Sequence, residues 1–173
     1  MNKQIFVING SGGVGKDTFV SMVANHCKQK IWNFSSVDKV KGIAKLIGWN
    51  GGKTEKDRKF LSDLKMLCSD YCDMPFNSMK DKVEEFKSNN VAMLFLHIRE
   101  PQEIERAKRE FDAKTILVKR DSVEHITSNE ADGNVFDYTY DIILDNSGGL
   151  LNLIKKTIDF LNDFENGNLK NEY

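Results

Sequence analysis

No apolar run in this chain is long enough to cross a bilayer, and no internal repeat or low-complexity linker interrupts it. Membrane-spanning and repeat architectures are thereby excluded, and the reading is one soluble domain. Cysteine is sparse. The three residues Cys27, Cys68 and Cys72 are an odd number, which argues against a disulfide framework. Cys68 and Cys72 stand four apart on an expected helix and could in principle share a metal with His26. Without a second close ligand pair, the favoured reading is thiols buried on helix faces. An excess of either charge is also lacking: 25 Lys and Arg against 26 Asp and Glu leave a net charge of −1. That balance gives no field for gripping long nucleic acid, so any nucleotide partner is expected to be small.

What remains is ordinary in bulk and specific in detail. A chain of 173 residues, 40% hydrophobic and 29% charged, can bury a single core without staples. Its amino terminus runs directly into a strand, so no signal peptide is expected and the cytoplasm is the default location.

The stretch Gly10-Ser11-Gly12-Gly13-Val14-Gly15-Lys16-Asp17-Thr18 organises the rest. It follows the apolar run Ile5-Phe6-Val7-Ile8 and leads into helix-patterned Phe19 to Ala24. Strand, glycine-rich turn and helix form the context in which G-x-x-x-x-G-K binds phosphate. Glycines let successive backbone N–H groups turn inward around an anion, and the helix adds the positive end of its dipole. Lys16 is then expected on the β- and γ-phosphates of ATP. The residue after Lys16 is usually Ser or Thr; here it is Asp17. A carboxylate beside a triphosphate repels it unless Mg²⁺ or its bound water intervenes, so Asp17 is expected to meet Mg²⁺ through water.

Along the chain, strands alternate with helices. After the first helix, to about residue 30, a strand is expected over Ile31–Phe34. The next helix begins near Asp38 and carries Val40, Ile43, Ala44 and Ile47 at helical spacing. From Thr54 a long charged helix is predicted with Phe60, Leu61, Leu64 and Leu67 inward. Pro75 interrupts, and Asn77 or Ser78 caps a further helix carrying Met79, Val83 and Phe86. Val91 to Ile98 is apolar without alternation, as a strand buried on both faces of a parallel sheet reads. A helix over Pro101–Phe111, a strand over Thr115–Val118, a polar flap over 119–138, a strand over Tyr140–Leu144 and a helix over Leu150–Phe164 complete the pattern. The polar tail, 165–173, is expected to fray. The order implies a three-layer α/β/α sandwich around a five-stranded parallel sheet, with ligands at the carboxyl ends of the strands.

Several segments resemble the P-loop deoxynucleoside monophosphate kinases. Gly15-Lys16-Asp17-Thr18 looks like their loop, rather than that of GTPases or motor ATPases, and implies that Thr18 bonds an α-phosphate oxygen. Phe34 to Ala44, with Asp38, Lys41, Ile43 and Ala44, resembles the segment after their second strand. Leu96 to Glu103 resembles their Asp-x-Arg-x-Pro-x-Glu segment, with His97 where the family has aspartate. Ser128-Asn129-Glu130 and Asp141 to Asn146 resemble their flap and final strand. The resemblance implies a nucleoside monophosphate kinase-like P-loop NTPase fold, ATP and Mg²⁺ as cofactors, and a small-molecule nucleotide acceptor. It assigns Asp38, Lys41 and Glu130 to the acceptor, places Asn146 weakly beside the adenine, and makes 53–88 an acceptor-binding helical insert. Oligomeric state stays open.

Arginine is scarce, and a planar guanidinium is the best holder of an acceptor phosphate. Of Arg58, Arg99, Arg106, Arg109 and Arg120, two stand out. Arg99 lies just past a buried strand and Arg58 lies early in the insert helix. Both are acceptor-phosphate candidates, although Arg58 could equally sit on a solvated face. Arg120 opens the flap and could neutralise charge on the transferring phosphoryl group. Arg106 and Arg109 fit a solvated face with their neighbouring glutamates. The leading expectation is phosphoryl transfer from ATP to a nucleoside monophosphate, with Lys16, Asp38, Arg99 and Arg120 closest to the chemistry. Transfer to a hydroxyl, as in dephospho-coenzyme A kinase, and a non-catalytic nucleotide-binding regulator are the alternatives.

Overall fold

A computed structural model describes residues 2–121 and 134–173. The chain divides into two compact units, Met1–Asn33 with Asn90–Tyr173, and Phe34–Asn89. The 53–88 segment falls wholly within the second.

In the first unit, β1 (Gln4–Asn9) runs through the glycine-rich turn into α1 (Lys16–His26) and then β2 (Ile31–Ser35), whose last two residues are counted with the second unit. After the second unit come β3 (Met93–His97), α5 (Pro101–Phe111), β4 (Lys114–Lys119), a 3₁₀ turn at Asn134–Phe136, β5 (Ile142–Asp145) and α6 (Gly149–Asn166). The strands form one five-stranded sheet in the order β2-β3-β1-β4-β5. β1 pairs in parallel with both β3 and β4, and β4 pairs in parallel with β5. Chain order steps one way from β1 to β2 and the other way from β3 to β4. Right-handed crossovers therefore place α1 and α5 on opposite faces.

Side-chain alternation on the strands supplies both faces with apolar surface. Phe6 and Ile8 of β1 point into a core with Phe19 and Val23 of α1 and Phe160 and Phe164 of α6. There the Phe6 ring lies 5.2 Å from Phe95 and 5.4 Å from Phe160. Ile5 and Val7 face the other way, where α5 packs on β1 and β4 and buries Ile104, Ala107 and Phe111. Fully burying one such side chain contributes about 1.5–3 kcal/mol. β3 is buried on both faces, as its uninterrupted apolar run predicts.

The polar tail does not fray. Residues 171–173 lie along β5: Ile143 donates to Asn171 O at 2.8 Å, Tyr173 donates to Ile143 O at 2.9 Å, and Asp145 donates to Tyr173 O at 3.0 Å. The Tyr173 ring meets Phe160 at 5.6 Å and its hydroxyl donates to Asp163 at 3.0 Å. Polar composition concealed a segment that satisfies the backbone of an edge strand.

In the second unit, α2 (Asp38–Leu46), α3 (Glu55–Cys72) and α4 (Met74–Ser88) pack on one another. α3 opens with a reciprocal capping box between Thr54 and Asp57. Its interior departs from the sequence reading. Leu67 is 65% exposed rather than inward, and Lys65 is the buried residue. α4 begins at Met74, before the predicted caps, because Pro75 stands in its first turn, where a missing N–H costs nothing. Asn77 instead donates to Cys72 O at 3.0 Å, and Ser78 donates to Pro75 O at 2.7 Å. Met79, Val83 and Phe86 are buried, as expected. The thiols are not: Cys27 and Cys68 are half-buried and Cys72 is exposed.

Candidate functional site

The glycine-rich turn is held from below and open above. Val14 drops into the core and anchors its middle. Gly10 has φ +146°, and a Cβ there would stand 2.3 Å from the carbonyl oxygen of Val118 at the end of β4. Gly15, at φ +101°, ends the turn, and its Cβ would stand 2.4 Å from Asn146 Nδ2. Only glycine meets both demands. Asn146, just past β5, is the strut: its Nδ2 donates to Val14 O at 2.8 Å and its backbone N–H to Lys119 O at 2.8 Å. The ends of β4 and β5 thus set the shape of the turn.

This turn suits a polyphosphate on three counts. α1 starts at Lys16 with Gly15 as its N-cap and no side-chain cap, leaving first-turn N–H groups for an anion. The Lys16 ammonium folds back over the turn, donating to Gly10 O and, at 2.8 Å, to Ser11 O. Ser11 Oγ is buried and has no hydrogen-bond partner among the described residues. Gly12 and Gly13, by contrast, lie toward solvent. For Mg²⁺ the donors are few. Among the described residues no group of three or more His, Cys, Asp or Glu is placed to hold a metal. Asp17, the expected partner of the ion through water, has a side chain that is 92% exposed. Thr18 is exposed beside it.

At the end of β3, where an aspartate was expected, His97 Nε2 meets Asn33 Oδ1 at 2.7 Å. With Oδ1 as acceptor, Nε2 is the donor, and Nδ1 faces Asp17 Oδ1 at 3.9 Å. Arg99 is exposed two residues later. Its carbonyl, at 3.2 Å, accepts from Asn9, a fully buried polar residue that ends β1. Sequence reasoning passed over Asn9, although a polar residue closing a buried apolar strand beside the turn is a visible signal. Arg120 is exposed just past β4. Arg106 pairs with Glu110 at 2.9 Å, as a solvated face predicts.

In the second unit, Asp38 accepts from Ser35 N–H at 2.9 Å and stands 3.8 Å from Lys41. Arg58 is exposed and donates to Lys53 O at 3.3 Å. Ser128, Asn129, Glu130 and His125 lie outside the described residues. A cavity of about 600 Å³ opens at the opposite end of the strands, between the starts of β1, β4 and β5. Two of its three lysines are engaged: Lys108 pairs with Asp141 at 2.6 Å and Lys170 with Asp163 at 3.0 Å. The phosphate-shaped turn, at the carboxyl ends of the strands, is the functional candidate.

No protein-family signature matches the chain, and no characterised protein matches it by sequence. Solved structures do. Shikimate kinase from Aquifex aeolicus vf5 shares 12% identity over 95% of this chain and 99% of its own, with a TM-score of 0.52. A sugar kinase from Janibacter sp. HTCC2649 shares 13% over 94% and 95%, at 0.51. A Thermus thermophilus protein shares 15% over 92% and 96%, also at 0.51. The chain has an α/β P-loop NTPase fold. Among the described residues, no helix is long and apolar enough to cross a membrane.

Proposed function

We propose that this protein transfers the γ-phosphoryl group of ATP to a nucleoside monophosphate of the deoxy series, as a cytoplasmic small-molecule kinase. The observation that carries the reading is the turn itself, with its uncapped helix start and the Lys16 ammonium folded over it. Likeness to a sugar kinase and a shikimate kinase supports kinase chemistry on this fold. The deoxynucleotide rests on the resemblance of the segments at the strand ends. In this reading Lys16 takes the β- and γ-phosphates, Thr18 the α-phosphate, and Asp17 the Mg²⁺ ion through water. When bound, that ion supplies positive charge on the phosphates. Arg99 and Arg58 hold the acceptor phosphate, Lys41 and Glu130 contact the acceptor, Arg120 faces the transferring group, and Asn146 borders the base.

Asp38 separates a phosphate acceptor from a hydroxyl acceptor. A hydroxyl must lose a proton during attack, and a positioned carboxylate base contributes about 10²–10⁴-fold there. A monophosphate has a second pKa of about 6 and needs no base at pH 8. The Asp38 carboxylate is already engaged by Ser35 N–H, an interaction that asparagine can reproduce. Asp38→Asn is therefore expected to keep most of its activity with deoxynucleoside monophosphates at pH 8. Near-total loss that added Mg²⁺ does not restore points to a hydroxyl acceptor. The parent reading is tested by thermal-shift and γ-phosphate transfer screens of nucleoside monophosphates and dephospho-coenzyme A. Stabilisation by an ATP analogue without turnover of any acceptor refutes it in favour of a regulator.

A further inference from the structure

We infer that Asn9 and Tyr140 are positioning residues, joining the phosphate-binding turn to the Arg99 backbone and to the 3₁₀ turn at Asn134–Phe136. The inference rests on the kinase reading for its catalytic consequence only. Asn9 is fully buried, and its amide is fully directed. Oδ1 accepts from Gly10 N–H at 2.8 Å. The two Nδ2 hydrogens go to Arg99 O at 3.2 Å and to the Tyr140 hydroxyl at 2.7 Å. That hydroxyl, having accepted, donates onward to Val135 O at 2.9 Å. Four bonds thus run in a single sense through one amide and one phenol, and neither group can rotate without leaving a partner unsatisfied. Burial pushes the Tyr140 phenol up to about 12, against a smaller opposite pull from Asn9. The proton given to Val135 therefore stays in place across the working pH range.

Packing does not require this arrangement. Ile5 to Ile8 already seat β1 in the core, and an apolar residue could follow them. What the amide adds is a connection between three places far apart in sequence. Gly10 opens the phosphate turn, Arg99 is the acceptor-phosphate candidate, and Val135 belongs to the 119–138 stretch that begins at Lys119 and Arg120. A buried network of this kind holds all three in one register, so that a displaced 135–140 segment is felt at the turn.

Tyr140→Phe in the full chain tests the link, because the ring that meets Tyr138 at 5.0 Å is kept and only the hydroxyl is lost. Amide exchange at Gly10 should quicken about tenfold, with exchange at Phe6 and Val7 unchanged. Under the kinase reading, kcat should fall about tenfold or more while KM for ATP moves less than about threefold. Asn9→Leu should reproduce both effects, and adding Tyr140→Phe to it should cost nothing further if the chain acts as a unit. Unchanged Gly10 exchange in Tyr140→Phe overturns the inference, even if Asn9→Leu fails to fold. So does a loss confined to thermal stability, with kcat and exchange intact. Faster Gly10 exchange in a protein that phosphorylates no acceptor upholds the link and overturns the kinase reading instead.

Discussion

Replacing Gly15 with alanine strikes the turn at its most constrained point. Two costs add. At φ +101° an L-residue is held in a sparsely populated conformation, worth about 1–3 kcal/mol. The new Cβ would also stand 2.4 Å from Asn146 Nδ2, so that side chain must swing away and surrender its bond to Val14 O. A buried donor and acceptor left unpaired cost about 1–3 kcal/mol more. The expected destabilisation is about 2–6 kcal/mol, a large part of the 5–15 kcal/mol typical of a domain. In urea, with a slope of about 2 kcal/mol/M, the midpoint should fall by about 1–3 M. Repeating the substitution in an Asn146→Ala background isolates the two costs. There the strut is already gone, and Gly15→Ala should cost only its backbone share. A destabilisation below about 0.5 kcal/mol would refute the reasoning, as would an equal cost in both backgrounds.

Lys16→Ala should lower phosphoryl transfer by more than about 100-fold while costing only about 1–3 kcal/mol of stability, the net worth of its two bonds to the turn. Isotope-transfer assays and urea melts measure the two separately. Asp141 gives a pH prediction. Partial burial pushes its carboxyl up, but hydrogen bonds from Lys108 and Thr115 outweigh that and hold it below the ordinary 3.8. Its contribution is therefore complete above about pH 4–5 and lost as pH falls through the lower folded value. Asp141→Asn should cost about 1–2 kcal/mol at pH 7 and flatten the decline in stability below pH 4. An unaltered acid limb in urea titrations would show that Asp141 does not contribute.

The sequence disclosed whatever depends on local spacing. The turn was legible because glycines, Lys16 and apolar flanks must stand in fixed order for N–H groups to converge. β3 was legible because burial on both faces leaves no polar position from Val91 to Leu96. Features set by distant partners were not. Asn9 and Tyr140 are separated by 131 residues, and neither carries a local pattern that announces the other. The 171–173 segment joins β5 through backbone groups that every residue shares, so its polar side chains pointed the wrong way. Leu67 falls on the helical period, yet period alone does not say which stripe of α3 is covered. The proposed acceptor contacts share that difficulty, since Asp38, Lys41 and Arg58 belong to a unit whose apolar pattern says nothing about substrate.

The strut from Asn146 to Val14 spans 132 residues, and this separation bears on how the protein is made. Translation produces the phosphate turn well before its support. At about 5–20 residues per second, roughly 7–26 s pass between the two. Throughout that interval Gly15 has no Asn146 against it, and for most of it β1 has no β4 beside it. The nascent chain thus carries the whole phosphate-binding motif without the means to hold its shape. Under the proposed kinase reading, nucleotide capture follows completion of this support, and ATP stabilises the assembled turn rather than the nascent one.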